Sequence, residues 1–140
     1  MIEIALVFIL CSQVLDGDTC KTADGAKIRF LAIDAPEKDQ RYGMESKTYL
    51  TNLILNKDVT LVGNKKDLYG RSLRYVMLNG VNVNETMIRS GNSWVYLVGK
   101  KSPLRNLENT ARKEKLGLWA DPEPVAPWIF RKLRKVKHGR

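Results

Sequence analysis

The sequence predicts an α+β fold that is mainly β, a small closed barrel of five strands with three α-helices. Three observations carry that prediction. Apolar, strand-like runs recur in five short segments punctuated by Asp-Gly and Asn-Gly turns, one helical stripe falls between the third and fourth, and two more follow the fifth. Short, turn-rich strands with a helix after the third suit a sheet closed on itself, in the manner of an OB barrel. A chain of 140 residues is long enough for one such core and short for two.

An apolar run ending at Leu15 supplies the first strand, and Asp16-Gly17-Asp18 supplies a turn into a short second strand over 19–22. After a turn at Asp24-Gly25 the third strand, "KIRFLAI", ends before Pro36, because Ala35 is held extended and proline offers no N–H to a sheet. The period then changes over 43–56, where Met44, Leu50, Leu53 and Ile54 form a helical stripe behind Glu45 and Lys47. Strands return at 59–63 and 72–78, the second closed by Asn79-Gly80. "NETMIRSG" reads as a short helix with Asn84 as cap and Gly91 as stop. A last helix opens on Ser102 and Pro103, turns Leu104, Leu107, Ala111 and Leu118 inward, and stops at Gly117.

Charge points to a polyanionic partner: 24 Lys and Arg stand against 15 Asp and Glu, a net +9. Six of those cations fall in 131–140 with no acid, so 1–130 reads as the folded domain and 131–140 as a basic C-terminal tail. His138, in that tail, reads as solvated. Cys11 and Cys20 are too few for a disulfide scaffold and have no metal-ligand spacing. A hairpin at Asp16-Gly17 sets Cys11 opposite Thr22, so they read as packed or free thiols. "IALVFIL" (4–10) follows Glu3 rather than a basic residue and lacks a cleavage pattern. It therefore reads as strand and favours a cytoplasmic location, with secretion or periplasmic export the alternative if residues 1 to about 11 act as a signal peptide. The run is too short for a membrane span.

Three clusters remain to be explained: Asp16 and Asp18 in "DGDT", Arg29, Asp34 and Glu37 in "IRFLAIDAPE", and Asp67, Tyr69 and Arg71 in "DLYGRSLRY". Singly, each is an ordinary turn or a solvated charge. Together they describe phosphodiester hydrolysis. Carboxylates sharing a site need a cation between them, and hard oxygen donors without His or Cys favour Ca2+ or Mg2+ over zinc, with Asp18 and Asp34 as ligands. Arg29 and Arg71 offer paired donors for phosphate oxygens as charge builds, and Glu37 can take a proton from water. In a straight strand Arg29 and Asp34 would lie about 16 Å apart on opposite faces. The strand must therefore break near Ala32 or Ile33.

At these residues the chain resembles the staphylococcal nuclease, or thermonuclease, family, with "VLDGDT", "IRFLAIDAPE" and "YGRSLRYV" in the family's order and similarity extending from about Val14 to Trp128. The resemblance implies an OB barrel with three helices that cleaves DNA and RNA with calcium and acts as a monomer. It implies that Asp18, Asp34 and the backbone carbonyl of Ala35 bind the metal, with Asp16 supporting them. Arg29 and Arg71 would bind phosphate, Glu37 would be the base, and Tyr69 and Tyr96 would contact the nucleic acid. Ala35 replaces a threonine of the type enzyme and Leu68 a lysine, which removes one phosphate contact. The alternative is a non-catalytic module binding nucleic acid or protein. Such a module has no need of the acids and arginines retained here, and a single-strand-binding barrel would rely instead on exposed aromatics.

Overall fold

A meander of three strands begins the fold, in a computed structural model that describes residues 7–96 and 102–138. Residues 1–6, part of the apolar run, lie outside the described residues, and so does the side chain of His138. Strand β1 (Ile9–Asp16) pairs antiparallel with β2 (Thr19–Thr22), and β2 with β3 (Lys27–Phe30). The two-residue β4 (Ile33–Asp34) precedes α1 (Gly43–Ile54), followed by β5 (Asp58–Lys66) and β6 (Ser72–Leu78). β6 runs parallel to β3, with Arg29 opposite Leu73, and antiparallel to β5, which returns to β1 through Ile9 and Val59. That circuit closes the predicted five-stranded barrel; the parallel β3–β6 pair is possible because α1 and β5 intervene as a crossover.

Asn79 and Gly80, both at positive φ, turn β6 into the short β7 (Val81–Asn82) and α2 (Val83–Arg89). β8 (Trp94–Val95), α3 (Arg105–Lys113), a 3-10 turn (Gly117–Ala120) and α4 (Pro127–His138) complete the chain. Cys11, Val14, Cys20, Ile28, Phe30, Val59 and Val76 fill the barrel, capped by Leu50 and Ile54 from α1 and by Met87 and Ile88 from α2. A second cluster joins Trp94, Ala111, Leu118, Trp119 and Ala126.

Several expectations are corrected. Asn82, not Asn84, caps α2, accepting from the Glu85 N–H at 3.2 Å. Asn84 is instead buried, accepting from Val76 N–H (3.0 Å) and donating to Leu31 O (2.9 Å), a bracket between α2, β6 and the end of β3. Met44 is exposed, and Ser46 takes the inward place, its hydroxyl donating to Asn92 O at 2.7 Å. α3 ends at Lys113, short of Gly117: with Lys115 at φ 55°, the Lys115 and Leu116 N–H groups reach back to Arg112 O and Ala111 O, a Schellman closure. Gly117 serves instead as a close approach, since a Cβ there would lie 2.3 Å from Gly91 O.

Cys11 and Cys20 are joined in a disulfide. The register is the expected one, Cys11 opposite Thr22, but both cysteines point into the barrel, and a bulge after Cys11 draws the diagonal pair to a Cα separation of 5.8 Å, within disulfide reach. Residues 131–138 are not a free tail: they continue α4, a fourth helix opened by Pro127.

Candidate active site

The Asp16-Gly17-Asp18 turn is pressed against the rest of the molecule. Asp16 Oδ1 accepts from Asp18 N–H at 3.1 Å, and a Cβ on Gly17 would fall 1.9 Å from Ser46 Oγ and 2.8 Å from Ala35 Cβ, so glycine alone lets the turn seat against α1. Asp18 is thereby aimed inward. Its Oδ1 accepts from Thr19 Oγ1 (2.9 Å) and its Oδ2 from Ala35 N–H (2.7 Å), fixing the turn to the residue that follows β4.

The break demanded of the third strand is present. β3 stops at Phe30, Ala32 takes a left-handed φ of 67°, and β4 resumes at Ile33. Arg29 spans the bend, its Nη1 donating to Phe30 O (2.7 Å) and Ile33 O (2.8 Å). Its Nη2 lies 3.5 Å from both Asp18 Oδ2 and Asp34 Oδ1. Behind Asp34, β4 pairs with β8, and buried Glu108 of α3 accepts Val95 N–H at 2.6 Å while Arg105 and Arg112 balance its charge.

Glu37 sits in the loop that turns toward α1. A Cβ on Gly43 would lie 1.8 Å from Glu37 O, and Gln40 Oε1 accepts Glu37 N–H at 3.1 Å, so the loop is held by its backbone. The Glu37 carboxylate is tied to Asp34 by Arg131 of α4. Arg131 Nη1 donates to Glu37 Oε1 (2.9 Å) and Asp34 Oδ1 (3.2 Å), and Nη2 donates to Asp34 Oδ2 (2.7 Å). Side-chain exposure rises from 2% at Asp34 to 25% at Glu37 and 35% at Arg131, so solvent approaches from the Glu37 side.

Asp18, Arg29, Asp34, Ala35 and Glu37 thus converge, with Asp16 beside them. Arg71 does not join them directly. It lies one residue before β6, and its Nε donates to Asp67 Oδ2 at 2.6 Å. Tyr69 is 85% exposed at the tip of that turn, its ring 5.9 Å from the Arg71 guanidinium carbon. Tyr96 is half-exposed, its N–H bound to Ala32 O at 2.9 Å, which sets it at the bend. A groove of about 1090 Å3 lined by Pro36, Tyr42, Trp94 and Phe130 contains none of the converging acids or arginines, so the chemistry lies outside it.

Burial, the Asp18 charge and a hydrogen bond to Asp18 push Asp16 up to about 8, leaving it protonated. Burial also works against the Asp18 anion, but Arg29 and hydrogen bonds from Asp16, Ala35 and Thr19 hold it below the usual carboxylate range. Asp34 is pushed up, chiefly by burial, against the Arg131 hydrogen bond. The donors, Asp18, Asp34 and the Ala35 carbonyl beside them, are all hard oxygens and fit Ca2+ or Mg2+. Among the described residues no group of three or more His, Cys, Asp or Glu side chains is placed to hold a metal ion.

The closed five-stranded barrel, with an acid–arginine cluster at its strand bend, is an OB-type α+β fold. The chain belongs to the staphylococcal nuclease homologue family, whose model matches residues 27–121. It is 46% identical over 124 residues to a protein of Escherichia coli O157:H7 named as an uncharacterized endonuclease, a match covering 85% of this chain and 81% of that one. A protein of Haemophilus influenzae with the same name is 36% identical over 129 residues, covering 89% and 72%. A micrococcal nuclease of Shigella flexneri is 31% identical over 138 residues, covering 88% and 79%. Helix α4 lies beyond the region matched by the family model.

Proposed function

We propose that this chain is a divalent-cation-dependent endonuclease that hydrolyses phosphodiester bonds of DNA, with RNA as a second substrate. The observation that carries the proposal is the bend at Leu31 and Ala32, which sets one guanidinium nitrogen of Arg29 within 3.5 Å of both Asp18 and Asp34. The names of the relatives, endonuclease and micrococcal nuclease, support the same reading. Ca2+ held by Asp18, Asp34 and the Ala35 carbonyl would supply positive charge for a phosphate oxygen, with Asp16 supporting Asp18.

Arg29 then binds a non-bridging oxygen with geometry fixed by its two carbonyl contacts, and Arg71 binds another after leaving Asp67. Glu37 accepts a proton as water attacks phosphorus; a P–O bond to water forms, a P–O bond to one sugar oxygen breaks, and that oxygen leaves with a proton from solvent. Tyr69 and Tyr96, both exposed, contact the nucleotide. Phosphodiesters resist uncatalysed cleavage so strongly that the barrier must fall by more than about 15 kcal/mol, which requires charge and base together. The Cys11–Cys20 disulfide supports a secreted or periplasmic setting over a cytoplasmic one.

Incubating the protein and Glu37→Gln with single-stranded DNA and Ca2+, with and without chelator, tests the proposal. Chelator-sensitive cleavage that falls at least about 100-fold in the variant is expected. Binding without cation-dependent cleavage would show a non-catalytic module instead.

A further inference from the structure

We propose that Arg131 is a positioning residue for the reaction, supplied by a helix outside the family's matched region to tie Glu37 to Asp34. The inference rests on the reading of Glu37 as the base. A single Arg131 nitrogen, Nη1, donates to Glu37 at 2.9 Å and to Asp34 at 3.2 Å, while Nη2 takes the other Asp34 oxygen at 2.7 Å. Asp34 is fixed independently, through β4 pairing with β8. Glu37 is not: its backbone is held by Gln40 and the Gly43 approach, and among the described residues the polar partner of its carboxylate is Arg131.

α4 is built to deliver that guanidinium. Pro127 opens the helix, Trp128 packs edge-on to Trp94 with ring centroids 5.6 Å apart, and Arg134, one turn on, bonds Asp39 at 3.1 Å. Trp94 is itself opposite Asp34 across the β4–β8 pair, so the anchor of the helix and the target of its arginine share one strand pair. A guanidinium fork fixes direction where an ammonium fixes only distance, which suits a side chain whose lone pair must face an attacking water.

The test compares wild type, Arg131→Gln, Arg131→Lys, Glu37→Gln and the Arg131→Gln/Glu37→Gln double variant, with Arg134→Gln as a control for loss of helix docking. Cleavage of single-stranded DNA is read as kcat and KM, and Ca2+ affinity by calorimetry without substrate. Arg131→Gln should lower kcat about 10- to 100-fold with KM changed by less than about 3-fold, and lysine should recover part of it. In the Glu37→Gln background the same change should cost less than about 3-fold, because the partner it positions is gone. Its Ca2+ affinity should hold or rise by about tenfold, since a positive charge beside Asp34 is removed. Losses that multiply in the double variant, equal losses in Arg134→Gln, or loss of Ca2+ binding in Arg131→Gln would each overturn the inference. Unchanged activity in Glu37→Gln would instead refute the base on which it rests, and the calorimetry on Arg131→Gln would still report whether the arginine acts on the ligand site.

Discussion

Gly43→Ala tests whether the backbone of the Glu37 loop sets the position of the base. The added methyl would stand 1.8 Å from Glu37 O, where side-chain carbons keep at least 3.0 Å, so that carbonyl must withdraw by about 1.2 Å. The hydrogen bond from Arg131 to the Glu37 carboxylate, 2.9 Å long, cannot survive a displacement of that size without the side chain reorienting. Misplacing a reacting group by about 1 Å costs about 100-fold in rate. Stability moves less, because alanine in place of glycine adds about 1 kcal/mol of helix propensity against about 1–3 kcal/mol of local strain. The expected result is therefore a kcat down about 30- to 100-fold with the urea midpoint shifted only slightly. The assay is single-turnover cleavage of a fluorescent DNA oligonucleotide at saturating Ca2+, alongside urea unfolding. Wild-type kcat in a folded Gly43→Ala protein would refute the loop as the element that positions Glu37.

Glu108→Ala should lower unfolding free energy by about 2–4 kcal/mol, since it strips Val95 N–H of its acceptor and leaves Arg105 and Arg112 unpaired; equilibrium urea titration measures it. Reducing the disulfide that joins Cys11 to Cys20, nine residues apart, should cost about 2–3 kcal/mol, read as a lower urea midpoint with reductant and no change in Cys11→Ala/Cys20→Ala. Asp16 and Asp34 both titrate above their ordinary range, so the folded state binds more protons than the unfolded one. Without cation, stability should therefore be full below about pH 4 as far as these two groups decide it, and fall as pH rises toward 8; Ca2+ should flatten that fall, and Asp16→Asn should remove much of it.

The barrel was legible because each strand carries its own punctuation: Thr19–Thr22 and Ser72–Leu78 lie where Asp-Gly and Asn-Gly turns set them. The bend was legible by a different route, since only a break at Ala32 lets Arg29 meet Asp34. What escaped was decided by tertiary contact. Asn84 and Asn82 carry the same local signal for a cap, and the bracket to Leu31 and Val76 decides which of them is buried. The disulfide depends on a bulge that pattern alone does not reveal. Arg131 was hidden among six cations in ten residues, where Pro127 marked a helix start but nothing local marked which cation reaches an acid more than 90 residues away.

The most direct measurement is single-stranded DNA cleavage across a Ca2+ titration for wild type, Asp18→Asn and Asp34→Asn. Cleavage that saturates with Ca2+ in wild type, stops with chelator and falls at least about 100-fold at matched Ca2+ in both variants is predicted. Cleavage that ignores chelator, or that survives in either variant at the wild-type rate, would contradict a cation site built at the strand bend.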